Sequence, residues 1–143
     1  MNDTLALDQQ LCFALYSASR ATTAVYRPLL DDLGVTYPQY LVLLALWEQD
    51  GLGVSELGAR LDLDSGTLSP LLKRIETIGL ITRERSPDDE RRVEIRLTDA
   101  GHALRDRARS IPECIFTASG LTADEATTLV ALVRKTTAAL RHS

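Results

Sequence analysis

The 143-residue chain has little cysteine. Cys12 and Cys114 are its two cysteines, and no Cys-x-x-Cys occurs. A disulfide scaffold and a cysteine zinc site are both excluded on that count. Long apolar runs are missing too. The longest, Tyr40 to Trp47, has eight residues, against the ~20 a helix needs to span a bilayer. No basic residue precedes Arg20, so the start lacks the charged segment of a secretory signal. There is no internal repeat, no low-complexity tract and no linker-like stretch. Positive charge is not in excess: 16 Lys and Arg against 20 Asp and Glu give −4. That argues against a general polyanion binder but leaves specific DNA binding, which depends on local charge, open. The expectation is a soluble cytoplasmic protein with no membrane contact.

What is present suits a globular protein. Hydrophobic residues are 45% and charged residues 25%. At roughly 150 residues per domain the length predicts one folding unit. Such a chain buries about two thirds of its unfolded surface, so no disulfide or metal is needed to hold it.

The apolar positions Leu11, Leu15, Ala18, Thr22, Val25, Leu29 and Leu33 step by three and four. They predict one long amphipathic helix ending near Gly34, with Asp8 as its cap and Pro28 kinking it or splitting off its last turn. Thr36-x-x-Gln39 has capping-box spacing, with Pro38 early in the first turn, and predicts a helix over 37–49. Gly51 and Gly53 break the chain before a short helix over 54–61, with Leu57 and Leu61 facing inward. Asp62-Leu63-Asp64 is a tight connection. Asp64 or Ser65 caps a helix over 65–78, closed by Gly79. Two short helices so joined form a helix-turn-helix pattern. Leu80 to Arg85 alternates loosely, Ser86-Pro87-Asp88-Asp89-Glu90 is a turn cluster, and Val93, Ile95 and Leu97 alternate inward, which predicts a β-hairpin. Thr98 or Asp99 caps a helix over 99–110, which Pro112 interrupts. Thr122-x-x-Glu125 opens a last helix to about 140, with Leu129, Leu132, Val133 and Leu140 on one face. The fold class expected is mainly α with a small β-hairpin wing: a winged helix-turn-helix with extra helices at both ends.

Asp64-Ser-Gly-Thr-Leu-Ser-Pro-Leu-Leu-Lys-Arg-Ile-Glu76, Gly79-Leu-Ile-Thr-Arg83, Asp88-Asp-Glu-Arg-Arg92 and Leu97-Thr-Asp-Ala-Gly101 resemble the MarR family of bacterial repressors over nearly the whole chain. Leu11-Cys12-Phe13-Ala-Leu-Tyr16, Tyr26-Arg-Pro-Leu-Leu30 and Thr36-Tyr37-Pro-Gln-Tyr40 resemble its OhrR subgroup, thiol-based sensors of organic hydroperoxides. The resemblance implies a homodimer. Segments 1–35 and 111–143 would make the dimer region, and 36–110 would bind a pseudo-palindromic double-stranded operator.

The helix beginning at Ser65 is the expected recognition helix. Ser65, Gly66, Thr67 and Ser69 let the backbone approach the groove, and N-terminal N–H groups serve phosphates. Lys73 and Arg74 lie further along it. Arg83, Arg85, Arg91, Arg92 and Arg96 fall within 14 residues, nearly cancelled by Glu84, Asp88, Asp89, Glu90 and Glu94. Arg91 or Arg92 at the hairpin tip suits a neighbouring minor groove. The resemblance implies that Arg91 is the wing arginine and that Asp89 fixes its fork by a salt bridge.

Cys12 falls early in the first helix, where the helix dipole favours the thiolate. A phenol donating to sulfur adds to that effect. Tyr16, at i+4, lies beside Cys12. Tyr26 is 14 residues on, about 21 Å along a helix, so it can meet this sulfur only from another subunit. The resemblance implies that Tyr26 and Tyr37 do so across the dimer. Attack of the thiolate on a peroxide O–O bond would give sulfenic acid, in a pocket for which Phe13, Leu15 and Trp47 are candidates. Cys114, in the break after Pro112, is either a buried small residue or, as in two-cysteine members, the thiol that resolves the partner's sulfenic acid. No cofactor is expected. Two rivals remain: a repressor of the same fold released by a phenolic ligand, which needs no cysteine, and a thiol peroxidase. For an enzyme, His102 and His142 offer no evident base.

Overall fold

The computed structural model describes residues 4–143. A 3-10 turn, Leu7–Gln9, precedes helix α1, Leu11–Leu33. Pro28 removes one donor, leaving the Ala24 carbonyl without its usual partner, yet α1 is not split. Gly34, at φ 75°, closes it in the left-handed conformation. Helix α2, Tyr37–Glu48, starts with the expected capping box between Thr36 and Gln39. It is apolar nearly all round, as a helix buried on most sides must be. Val42, Leu43 and Leu46 are its fully enclosed residues.

The helix-turn-helix and the hairpin follow. Strand β1, Leu52–Gly53, leads into helix α3, Val54–Leu61, and helix α4, Ser65–Thr77. Asp62, at φ 62°, ends α3, and the Asp64 carboxylate caps α4 by accepting from Thr67 N–H at 2.8 Å. Leu57 of α3 is buried, and Leu61 only in part. Strands β2, Ile81–Arg85, and β3, Val93–Leu97, form the hairpin. The sheet order is β1-β3-β2, antiparallel throughout, with Leu52 opposite Ile95 and Ile81 opposite Leu97. Leu52, Ile81 and Ile95 close against Leu57, Leu68, Leu72 and Ile75 as one core. Helix α5, Asp99–Ala108, is capped by Thr98, whose hydroxyl also donates to Gly79 O at 2.6 Å.

Residues 111–119 are not a break. They form helix α6, Ile111–Ser119, with Pro112 in its first turn, where a missing N–H costs nothing. Helix α7, Ala123–Arg141, carries the second expected capping box, Thr122 with Glu125. The residues up to Arg109 make one compact unit, and Ser110–Ser143 a second. Among the described residues no helix is long and apolar enough to cross a membrane.

The stripe on α1 is amphipathic, but this chain alone does not cover it. Only Leu30 and Leu33 are buried, while Leu11, Phe13, Tyr16 and Val25 are exposed. Helix α7 buries nothing, and Leu129, Leu132, Val133 and Leu140 all face out.

Gly101 marks the tightest backbone approach. A Cβ there would lie 2.2 Å from the Leu80 carbonyl oxygen. Gly101→Ala is therefore expected to cost about 1–3 kcal/mol or more. Gly66→Ala, whose Cβ meets only the Asp64 side chain at 3.3 Å, should stay within about 1 kcal/mol. Urea unfolding midpoints of the two variants check this.

Candidate DNA-reading surface and thiol site

Helix α4 buries Leu68, Leu71, Leu72 and Ile75, the i, i+3, i+4, i+7 face. That leaves Ser65, Gly66, Thr67, Ser69, Lys73 and Arg74 exposed on the other side. The helix start is less open to a phosphate than the sequence suggests. Asp64 takes the Thr67 N–H, and that bond, then the Thr67 hydroxyl and Gly66 N–H, hold its carboxyl below the usual range.

Across from Ser69 lies the hairpin turn. A cleft of about 530 Å³ runs between them, lined by Ser55, Glu56, Ser69, Arg83, Arg91 and Arg92 among others. The arginines there are not equivalent. Arg83 pairs with Glu76 at 3.5 Å, Arg85 donates to Glu90 O at 2.7 Å, and Arg96 pairs with Glu94 at 2.7 Å. Arg92, expected to face DNA, turns back and pairs with Glu56 and with Glu94; the hydrogen bond to Glu56 holds it firmly charged. Arg91 is exposed. Asp89 does not grip its fork: the carboxylate accepts from Arg91 backbone N–H at 3.0 Å, so it shapes the turn. Among the described residues no ion pair engages Arg91, Lys73 or Arg74.

The thiol site is split. Cys12 is the second residue of α1 and is an exposed free thiol. Asp8 does not cap this helix. It lies in the 3-10 turn, and no side chain caps α1; the Gln10 amide donates to Thr4 O and Ala6 O at 2.8 and 3.0 Å. Cys12 therefore stands nearer the helix start than expected, among uncapped N–H groups. Tyr16 lies one turn on, exposed, with Arg20 above its ring at 5.7 Å.

Tyr26 and Tyr37 are brought together, rings 4.8 Å apart. They border a cavity of about 240 Å³ that also includes Thr23, Arg27, Leu30 and Pro38. Tyr40 completes the cluster at 5.9 Å from Tyr26 and 6.4 Å from Tyr37, and Trp47 backs it. In the sequence, the i+3 spacing of Tyr40 from Tyr37 is the one signal of its place in this cluster. Phe13 borders a groove of about 400 Å³ with Leu7, Gln10, Ala14 and Ser17, while Trp47 Nε1 donates to Gly101 O at 2.9 Å. Cys114 is not in a break and not buried: it is exposed on α6.

Residues 24–107 match the family model described as transcriptional regulator SarA/Rot. The organic hydroperoxide resistance transcriptional regulator of Bacillus subtilis (strain 168) is 55% identical over 114 residues, 80% of this chain and 78% of that protein. Among solved structures, reduced AbfR bound to DNA is 40% identical with a TM-score of 0.77, covering 94% of both chains. Disulfide-formed AbfR is 38% identical with a TM-score of 0.63, covering 95% of this chain and 90% of that one.

Burial, then the neighbouring phenols of Tyr26 and Tyr37, push Tyr40 up to about 12 from 10.0. Burial and Tyr37 raise Tyr26 too. The folded state thus prefers the neutral phenol. This stabilisation is whole below about pH 10 and is lost as pH climbs toward 12. Tyr40→Phe is expected to flatten the loss of stability over that interval and to remove the latest phenolate absorbance step. Parallel stability curves for the two proteins would contradict it.

Proposed function

This chain belongs to the SarA/Rot-type, MarR-like family of winged-helix transcriptional regulators, and from that premise we propose that it is a repressor that binds DNA as a homodimer when reduced and lets go when an organic hydroperoxide oxidises Cys12. The observation that carries the reading is geometric. Cys12 and Tyr26 share one unbroken helix, about 21 Å apart at 1.5 Å per residue, while Tyr26 and Tyr37 converge on an open cavity. A phenol pair with no thiol and a thiol with no phenol pair complement each other across a two-fold axis. The uncovered apolar side chains of α1 and α7 supply a reason to dimerise, with 1–35 and 111–143 as the dimer segments.

In the dimer each Cys12 anion accepts from Tyr16 of its own chain and from Tyr26 and Tyr37 of the other. The sulfur attacks the distal peroxide oxygen. The O–O bond breaks, sulfenic acid forms, and the alkoxide leaves and takes a proton as an alcohol. Cys114 of the partner chain then attacks the oxidised sulfur, forming a disulfide and releasing water. Drawing those atoms within disulfide range, Cα to Cα about 7 Å, moves the helices that set the two α4 segments apart, and they no longer match adjacent major grooves. The likeness to a hydroperoxide resistance regulator, and to a protein solved both reduced on DNA and as a disulfide, supports this sequence of events. On the DNA side, Ser65, Gly66, Thr67, Ser69, Lys73 and Arg74 face the major groove, and Arg91 enters the minor groove. Arg92 stays on its carboxylates.

One equivalent of an organic hydroperoxide should abolish binding of the reduced protein to its operator, and reductant should restore it. Cys12→Ser should bind and no longer respond; a variant that still responds would favour release by a ligand. After oxidation, non-reducing gels should show a dimer that Cys114→Ser lacks, and a persisting band removes Cys114 from the mechanism. Arg91→Ala should weaken operator binding by roughly tenfold without unfolding the protein.

A further inference from the structure

Arg92 is the last residue before β3, and its guanidinium reaches back to Glu56 on α3. Gly53 makes the room: a Cβ there would sit 3.0 Å from the guanidinium carbon. The turn it closes is a unit, with Ser86 N–H on Arg92 O at 2.8 Å and Arg92 N–H on Asp89 O at 3.0 Å. The hairpin is paired within itself from Ile81 to Arg85, but toward α3 the sheet gives little hold, since β1 pairs with β3 only through Leu52 and Gly53. Glu56 also borders the cleft between the turn and Ser69. A carboxylate on a surface that meets a polyanion opposes binding by its charge. Its presence there calls for a compensating role.

We propose that Glu56 is a positioning residue for DNA binding: by clamping Arg92 it fixes the wing turn against α3 and so aims the neighbouring Arg91. The inference rests on the wing reading DNA, as proposed above. The clamp acts at the tip alone. The root of the hairpin has its own tie, Arg83 to Glu76, and without Glu56 the Arg92 guanidinium keeps only Glu94, at 3.5 Å, which it shares with Arg96. Ion pairs this exposed add little to stability, so losing Glu56 frees the turn and leaves the fold.

The probe is a duplex of about 30 base pairs, three helical turns, selected from a random pool by the reduced wild-type protein. Binding is read by fluorescence anisotropy across a salt series. Glu56→Gln is expected to weaken binding about fivefold or more, with the melting temperature within about 2 °C of wild type. Charge alone predicts the opposite sign, because the variant removes an acid beside DNA. Glu56→Asp should recover part of the loss. Adding Glu56→Gln to Arg91→Ala should cost nothing further, since both remove the same contact. Equal or tighter binding by Glu56→Gln overturns the proposal, as does an additive double variant. A wild-type protein that selects no duplex at all removes the DNA-binding reading instead, and this inference with it.

Discussion

A helix cannot fold back on itself, and α1 is one helix from Leu11 to Leu33. That constraint governs the proposed thiol chemistry. It holds Cys12 at one end and Tyr26 fourteen residues away, beyond the reach of any side chain. Gly34 then turns the chain so that α2 lays Tyr37 and Tyr40 against Tyr26. In the proposed dimer each protomer would carry half of a sensor twice over. A sensor completed only between chains, as proposed, would tie the state of the sulfur to the arrangement of the dimer, and through it to the spacing of the two α4 helices.

The reading surface shows the same economy of charge. The wing holds as many acids as bases, and a sum over residues says nothing about DNA. What matters is which guanidinium is engaged. Arg83, Arg92 and Arg96 are held by Glu76, Glu56 and Glu94, so they brace the hairpin. Arg91 is left exposed at the turn, as are Lys73 and Arg74 on α4.

Local signals were legible in the sequence. Thr36 with Gln39 and Thr122 with Glu125 announced two helix starts, Gly34 an end, and the alternation of Val93, Ile95 and Leu97 a strand. Signals that depend on distant partners were not. Leu52–Gly53 is too short to show a period and becomes a strand only because Ile95 and Glu94 lie opposite. Pro112 was read as a breaker where it is a harmless first-turn residue. Asp8 had the right chemistry for a cap, but α1 starts too late to use it. Arg92 and Arg91 are adjacent and alike in sequence; Glu56, 36 positions earlier in the chain, separates their roles. The pairing of Tyr26 with Tyr37 was implied by family likeness, and Tyr40 beneath them emerged only from the packing of α2.

The claim at the centre is that the phenols serve the sulfur of the other chain, and mixed dimers test it most directly. In one, a chain with Cys12 and Tyr26→Phe is paired with a chain carrying Cys12→Ser and native Tyr26. In the other, both residues are native in one chain, and its partner carries Cys12→Ser and Tyr26→Phe. The measurement is the rate at which the single Cys12 is oxidised by organic hydroperoxide. The account predicts fast oxidation in the first dimer and slow oxidation in the second; the reverse order, or equal rates, would contradict it.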